Sequence, residues 1–137
     1  MKTAVFYEHI LEGAKQSGKS VAELMEKCAS WNIRGIEIGD ALLRENKEEI
    51  KELLEKNHMQ VSCSNAFYEF GHNPDAAQGK KQIDLAEEFG VSKVLIIPGE
   101  LSENEASALN ALSASKEQTD SYMSENASIQ NMAQALK

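Results

Sequence analysis

The sequence predicts an α/β fold built from parallel βα units, and three observations lead to this prediction. Short apolar runs recur along the chain, an amphipathic helical pattern follows each of them, and capping residues mark where the helices start. Parallel strands joined by helices are typical of α/β folds. A closed barrel of such units needs eight strands and roughly 250 residues. With about four strands in 137 residues, the chain is predicted to form half of a TIM-type (β/α)8 barrel.

Four segments are predicted as strands, covering 3–8, 35–39, 60–67 and 93–97. In the second, side-chain alternation places Glu37 on the face opposite its two isoleucine neighbours. In the third, the same alternation places Ser62 and Ser64 on one face and Val61, with Cys63, on the other. The fourth strand is apolar on both faces, as expected for a parallel strand covered on both sides.

Helix starts are predicted from capping patterns. Ser20 and Glu23 form a capping box, Asn46 opens a second helix, and Asn73 is predicted to cap a third helix with Pro74 at its first position. Residues 9–19 are interpreted as a polar connection.

The composition changes after residue 100, where Ser, Asn, Ala and Glu dominate. A capping box at Ser102 predicts a helix through Leu109, and another helix is predicted from about Ser124 to the end. Residues 115–120 are interpreted as a turn or mobile loop. The prediction is one domain over 1–137, with 101–124 as an insertion or mobile loop.

Charge and cysteine content narrow the possible functions. The net charge of -8 argues against binding to nucleic acids or anionic membranes, which attract basic proteins. No leader-like segment and no apolar run of membrane-spanning length is recognised. Cys28 and Cys63 lack CxxC spacing, so they are predicted to be reduced thiols in a cytoplasmic protein rather than metal ligands.

Candidate site residues follow from the rule that ligands of βα folds bind beyond the carboxyl ends of the strands. Glu37 is the leading candidate, because a carboxylate between two isoleucines would point into a barrel lumen and could transfer protons. A structural carboxylate bonded to a neighbouring strand is the alternative. Glu8 and Glu69 also lie at strand ends. The residues taken as substrate-binding are Tyr7, Asn65, Phe67, Tyr68, His72 and Glu100.

Four segments follow one another in an order typical of a known family: GIEI at 35–38, QVSCSNAF at 60–67, IDLAEEFG at 83–90 and VLIIPG at 94–99. On these residues the chain resembles the N-terminal half of the sugar phosphate isomerase/epimerase family, the xylose-isomerase-like TIM barrels. The resemblance implies a small sugar or sugar phosphate as substrate. It also implies a divalent metal, whose usual ligands begin on a fifth strand and have no counterpart here. Of the functional residues that the resemblance implies, only one has a counterpart in this chain, and it is Glu37 as a carboxylate in the barrel lumen.

Several expectations follow for the isolated chain. Isomerase or epimerase activity should be weak or absent, because the metal ligands are missing. Exposed strand edges predict a homo-oligomer, and the alternative is that residues 101–137 fold back and cover the same surface. The alternative function is a flavodoxin-like, non-catalytic domain that binds a ligand or a partner. A truncated product without activity is a third interpretation.

Overall fold

The computed structural model describes residues 3–137, which hold four strands and eight helices. In chain order they are β1 Ala4–Phe6, α1 Tyr7–Ser17, α2 Val21–Ser30, β2 Gly35–Gly39, α3 Asp40–Glu45, α4 Lys47–Asn57, β3 Gln60–Phe67, α5 Ala77–Glu88, β4 Val94–Ile97, α6 Glu103–Leu112, α7 Lys116–Glu125 and α8 Ala127–Ala135. The fold is α/β with one parallel sheet, and its strand order is β1-β2-β3-β4. The prediction of an α/β fold with parallel strands is therefore confirmed.

The described residues group into two compact units. The first contains the chain up to Ala66 together with Lys81–Leu95, and the second contains Phe67–Lys80 together with Ile96–Lys137. The prediction of a single domain over 1–137 stays a prediction, as does the interpretation of 101–124 as an insertion.

The core of the first unit lies on one face of β2. Ile36 and Ile38 are fully buried there, together with Met25 of α2 and Ile50 of α4. Residues of α1, α3 and α5 join the same cluster. Glu37 lies between the two isoleucines along the strand and therefore points to the opposite face, which we call the open face. Burial of large aliphatic side chains is the dominant stabilising term for such a unit.

A β-bulge in β3 changes which of its side chains lie on each face of the sheet, so the predicted assignment of faces is partly wrong. The register pairs Ile36 with Val61 but Glu37 with Cys63, so Ser62 is the extra residue. Its hydroxyl donates a hydrogen bond to the Ile36 carbonyl at 2.9 Å. Beyond the bulge, Cys63 shares the open face with Glu37. Ser64 lies on the covered face with Val61, where it is 1% exposed, so the prediction that Ser64 and Val61 occupy opposite faces is wrong.

Several predicted boundaries also differ. Tyr7 and Glu8 are helical rather than extended, because α1 begins directly after Phe6, and the polar connection at 9–19 is largely this helix. Its Tyr7 and Ile10 are buried in the core, and these two side chains anchor a mostly polar helix. The short helix α3, which follows β2 directly, was not predicted.

Two further differences concern the later helices. The helix predicted to start at Pro74 begins at Ala77, whose backbone N–H donates to Asp75 Oδ1 at 2.9 Å. Residues 116–120 belong to α7 instead of forming a turn, because the Ser115 side chain caps that helix by accepting from the Gln118 N–H. The Ser20 and Ser102 capping boxes are confirmed.

Candidate functional site

A cavity of about 550 Å³ lies in the first unit. It is lined by Glu37 and Cys63 from the open face, by the bulge residue Ser62, and by residues before or at the start of each strand, including Arg34, Ser92 and Lys93. Its volume falls in the range of small-molecule sites. The sequence analysis predicted a ligand site at the carboxyl ends of the strands, whereas this cavity extends toward their amino ends.

The cavity combines charges of both signs. Glu37 contributes a carboxylate, and the side chains of Arg34 and Lys93, which belong to exposed residues, contribute two cations. This combination suits a ligand that carries both an anionic group and hydrogen-bonding hydroxyls, because a guanidinium and an ammonium bind phosphate or carboxylate oxygens.

Cys63 is the nucleophilic side chain nearest to Glu37 in the strand register. Burial, and then the negative charge of Glu37, raise the pKa of the Cys63 thiol. The thiol lies 3.6 Å from the Ser64 carbonyl oxygen, to which it donates. Because the reactive form of cysteine is the thiolate, this environment suits a protonated side chain that lines the cavity.

At the other end of β2, a carboxylate from α1 reaches the strand. The Gly39 backbone N–H donates to Glu8 Oε1 at 2.8 Å, although the two residues are 31 positions apart. The second carboxylate oxygen, Glu8 Oε2, is buried and has no hydrogen-bond partner. Asn65, which the sequence indicated, pairs with Gly39 in the β2–β3 register. Glu8 and Asn65 therefore meet at the carboxyl ends of the first three strands.

Asp40 is a buried carboxylate that sequence reasoning missed. It is the first residue of α3, is 6% exposed and forms an ion pair with Arg44. Burial raises the pKa of its carboxyl group, and the nearby Arg44 only partly opposes this effect. Its Oδ1 atom is buried without a partner. Its position in the sequence could have indicated it as a site candidate, because Asp40 directly follows a predicted strand.

The remaining predicted site residues lie in different environments. Tyr7 is buried in the core, and burial, followed by the charge of Glu49, raises the pKa of its phenol. In the second unit, Tyr68 stacks on Phe70 with ring centroids 4.6 Å apart, and its hydroxyl donates to the Gln78 carbonyl at 3.4 Å. The exposed positions are Phe67, His72 and Glu100. Their roles in substrate binding stay predictions.

The described residues do not provide a metal centre. Nowhere in residues 3–137 do three or more His, Cys, Asp or Glu side chains gather closely enough to hold a metal ion. The donor set therefore does not fit the divalent metal that the family resemblance implies. In the same part of the chain, no helix has the length and apolar content that a membrane span requires.

Compared with known proteins, the chain matches no family model, no curated protein and no solved structure. Function is therefore inferred from the geometry of the site. The resemblance to sugar phosphate isomerases and epimerases stays a prediction.

Proposed function

We propose that this chain is a half-barrel of the sugar phosphate isomerase/epimerase type, and that it binds a small sugar or sugar phosphate on its open face. The observation that carries the proposal is the position of Glu37 in a cavity of about 550 Å³ that also contains Arg34 and Lys93. In this proposal Glu37 accepts and returns a proton at a sugar carbon. Arg34 and Lys93 bind the phosphate.

The strand order supports a half-barrel over the flavodoxin-like alternative. Doubly wound sheets contain a point where the strand order reverses, and their helices cover both faces. Here the order β1-β2-β3-β4 contains no reversal. The buried cluster of the first unit joins α1–α5 to the isoleucine face of β2. Right-handed crossovers between consecutive neighbouring strands place their helices on one side, which leaves the Glu37 face for a ligand.

The proposal limits the activity of the isolated chain. Moving a proton between sugar carbons requires a base and a group that polarises the adjacent oxygen. Glu37 supplies the base, and the cavity cations are assigned to the phosphate. We therefore expect binding with slow or undetectable turnover, and we propose that completion by further chain or a second copy is needed for full activity.

The test is binding together with solvent exchange of a substrate proton. Purified protein is titrated with fructose and with fructose 6-phosphate by calorimetry, and exchange of the sugar C1 protons for deuterium is followed by NMR. We expect the phosphate ester to bind more tightly, the R34A/K93A double variant to lose that preference, and Glu37→Gln to abolish exchange.

The matched control is Glu26→Gln, an exposed carboxylate on α2, which should change neither binding nor exchange. Absence of binding by either compound would contradict the proposal. Exchange that survives Glu37→Gln would remove Glu37 from its role, and robust metal-dependent turnover of the ketose would contradict the expected weak activity.

We also propose that the chain is a homo-oligomer. β4 ends the strand order, and its Val94 and Leu95 are 38% and 52% exposed. An edge strand without charge invites pairing with another chain. Sedimentation equilibrium should show a dimer or larger species, and Leu95→Lys should shift it toward monomer. A monomeric wild-type chain at micromolar concentration would contradict this proposal.

We place the protein in the cytoplasm as part of the same proposal. Cys28 and Cys63 are free, as expected of thiols in a reducing compartment. Fractionation of cells that express the tagged protein would test this placement.

A further inference from the structure

Glu8 is held over Gly39 by the geometry of two neighbouring βα units. Because α1 begins directly after β1, the Glu8 side chain can reach the end of β2, where Oε1 accepts the Gly39 N–H at 2.8 Å. A Cβ atom placed on Gly39 would lie 3.1 Å from Glu8 Oε1 and 3.9 Å from Asn65 Oδ1. The Glu8 carboxylate and the Asn65 carboxamide oxygen therefore both lie close to Gly39, and the absence of a side chain at Gly39 makes room for the carboxylate.

This arrangement leaves one strong acceptor without a donor. Glu8 Oε2 is buried and unpaired, and a buried carboxylate oxygen without a hydrogen bond costs free energy. The last torsion of a glutamate side chain is soft, so a small rotation about it would bring Oε2 to an approaching donor. Asn65 adds one donor group and one acceptor group beside it.

The chemistry of these groups selects the ligand. An ionised carboxylate accepts hydrogen bonds and repels phosphate, whereas a carboxamide both donates and accepts. Two neighbouring hydroxyls of a sugar match this pair of side chains. Glu37 and Gly39 are two residues apart on β2, which places them on the same face and about 7 Å apart at roughly 3.3 Å per residue. A sugar phosphate could therefore lie along β2 across both positions.

We infer that Glu8, Gly39 and Asn65 form a hydroxyl-binding site at the carboxyl ends of β1–β3, and that this site holds the diol end of the sugar. The inference rests on the proposed function, which supplies the sugar, and it adds an orientation. The phosphate points toward Arg34 and Lys93, and the hydroxyls point toward Glu8 and Asn65. Gly39 is required because a side chain there would displace the Glu8 carboxylate.

The experiment uses the Gly39 amide resonance as a reporter, because that N–H donates to Glu8. The purified 137-residue chain, labelled with ¹⁵N, is titrated with fructose and with fructose 6-phosphate. We expect both compounds to shift the Gly39 amide and the Asn65 side-chain amide. Glu8→Gln and Gly39→Ala should each weaken fructose binding by roughly tenfold or more, as loss of a charged hydrogen bond implies.

The matched control is Glu12→Gln, because Glu12 is an exposed residue of the same helix that accepts a hydrogen bond from Gln16. It should bind fructose as the wild type does. Gly39→Ala provides a second test if Glu8→Gln fails to fold, and the amide spectrum reports folding of each variant. The backbone of Gly39, with φ −64° and ψ 135°, accommodates alanine.

The outcomes separate this inference from the proposed function. If the sugars bind with unchanged affinity in Glu8→Gln and Gly39→Ala, or shift only amides around Glu37, the inference is overturned and the proposed function stands. If neither compound shifts any amide of the wild-type chain, both are overturned. Loss of fructose binding in both variants, with normal binding in Glu12→Gln, supports the site.

Discussion

Helices α2 and α6 both begin with a capping box, but they differ in the side chains that they bury. In α2 the Glu23 N–H donates to Ser20 Oγ at 3.2 Å, and the Ser20 N–H donates to Glu23 at 2.8 Å. In α6 the corresponding distances between Ser102 and Glu105 are 3.3 and 2.9 Å. Yet α2 places Met25 in the core at 0% exposure, whereas α6 has no buried residue.

This difference separates two sources of helix stability. A capping box decides where a helix starts, because it satisfies backbone N–H groups that have no partner within the helix. It contributes little to holding the helix against the rest of the fold, since most helical stability in proteins comes from packing of an apolar face. The capping boxes therefore define the starts of α2 and α6 equally well. The two helices should still differ in stability, because only α2 has a side chain buried in the core.

The largest expected effect comes from removing the buried side chain. Met25→Ala should lower the free energy of unfolding by about 2–5 kcal/mol, because it deletes a side chain and leaves a cavity. Leu109→Ala, on the half-buried face of α6, should cost less than about 1 kcal/mol. Urea unfolding followed by circular dichroism measures both. Equal losses of unfolding free energy in the two variants would contradict the claim that packing makes α2 more stable than α6.

A buried hydrogen bond on the covered face of the sheet should come next. The Gln82 side chain is 0% exposed and donates to the Ser64 carbonyl at 3.2 Å and to Ser64 Oγ at 3.3 Å. Gln82→Ala should cost about 1–3 kcal/mol, because it leaves those oxygens without this donor. Gln16→Ala is the control, since Gln16 donates only to Glu12 at the surface. A similar loss in both variants would show that burial does not set the cost.

Removing the caps should have smaller and local effects. Ser20→Ala and Ser102→Ala should each cost about 1 kcal/mol, the usual loss for an N-cap serine. Amide hydrogen exchange should show where the loss appears. We expect fraying limited to the first turn in α2, where Met25 anchors the helix, and faster exchange along the whole of α6. The reverse pattern would contradict the assignment of stability to packing.

The smallest effect should be the pH dependence of the two boxes. Hydrogen bonds from the Ser102 side chain, Asn126 and the Ser102 backbone lower the pKa of Glu105 to about 2. Bonds to the Ser20 backbone and side chain lower the pKa of Glu23. A carboxyl group whose pKa is depressed on folding stabilises the fold above its unfolded pKa, and this contribution is lost as the pH falls through the folded pKa.

For Glu105 the loss should therefore occur between about pH 4.5 and 2. Glutamine at position 105 cannot titrate, so the stability difference between wild type and Glu105→Gln should shrink across this range. Amide exchange of α6, measured at several pH values, gives that difference. A constant difference would mean that the carboxylate does not contribute through its charge.

Strand alternation alone predicted where Glu37 lies, but it did not predict that Arg34 and Lys93 line the same cavity. Glu37 was assigned to the face opposite its isoleucine neighbours, and the structure places it in a cavity on that face. The same alternation failed for Ser64, because the bulge at Ser62 shifts the rest of β3 by one residue. A bulge depends on the pairing between two strands, and neither strand alone specifies it.

The buried carboxylates show a second limit of sequence reasoning. Asp40 directly follows a predicted strand, but helix α3 was not predicted, and only the packing of α3 shows that Asp40 is 6% exposed. Likewise, no spacing in the sequence connects Glu8 to Gly39. Their contact exists because β1 and β2 are neighbours in the sheet.

The sequence by itself determined the features that depend on near neighbours: the extent of β2 and β3, the helix starts at Ser20 and Ser102, and the alternation that separates Glu37 from the core. Spacings of two to four residues encode these features, because they follow from backbone geometry. Tertiary structure alone decided which of two equally capped helices is buried, where β3 bulges and which carboxylate meets Gly39. Those outcomes depend on contacts between segments that are distant in the chain, and no local pattern carries that information.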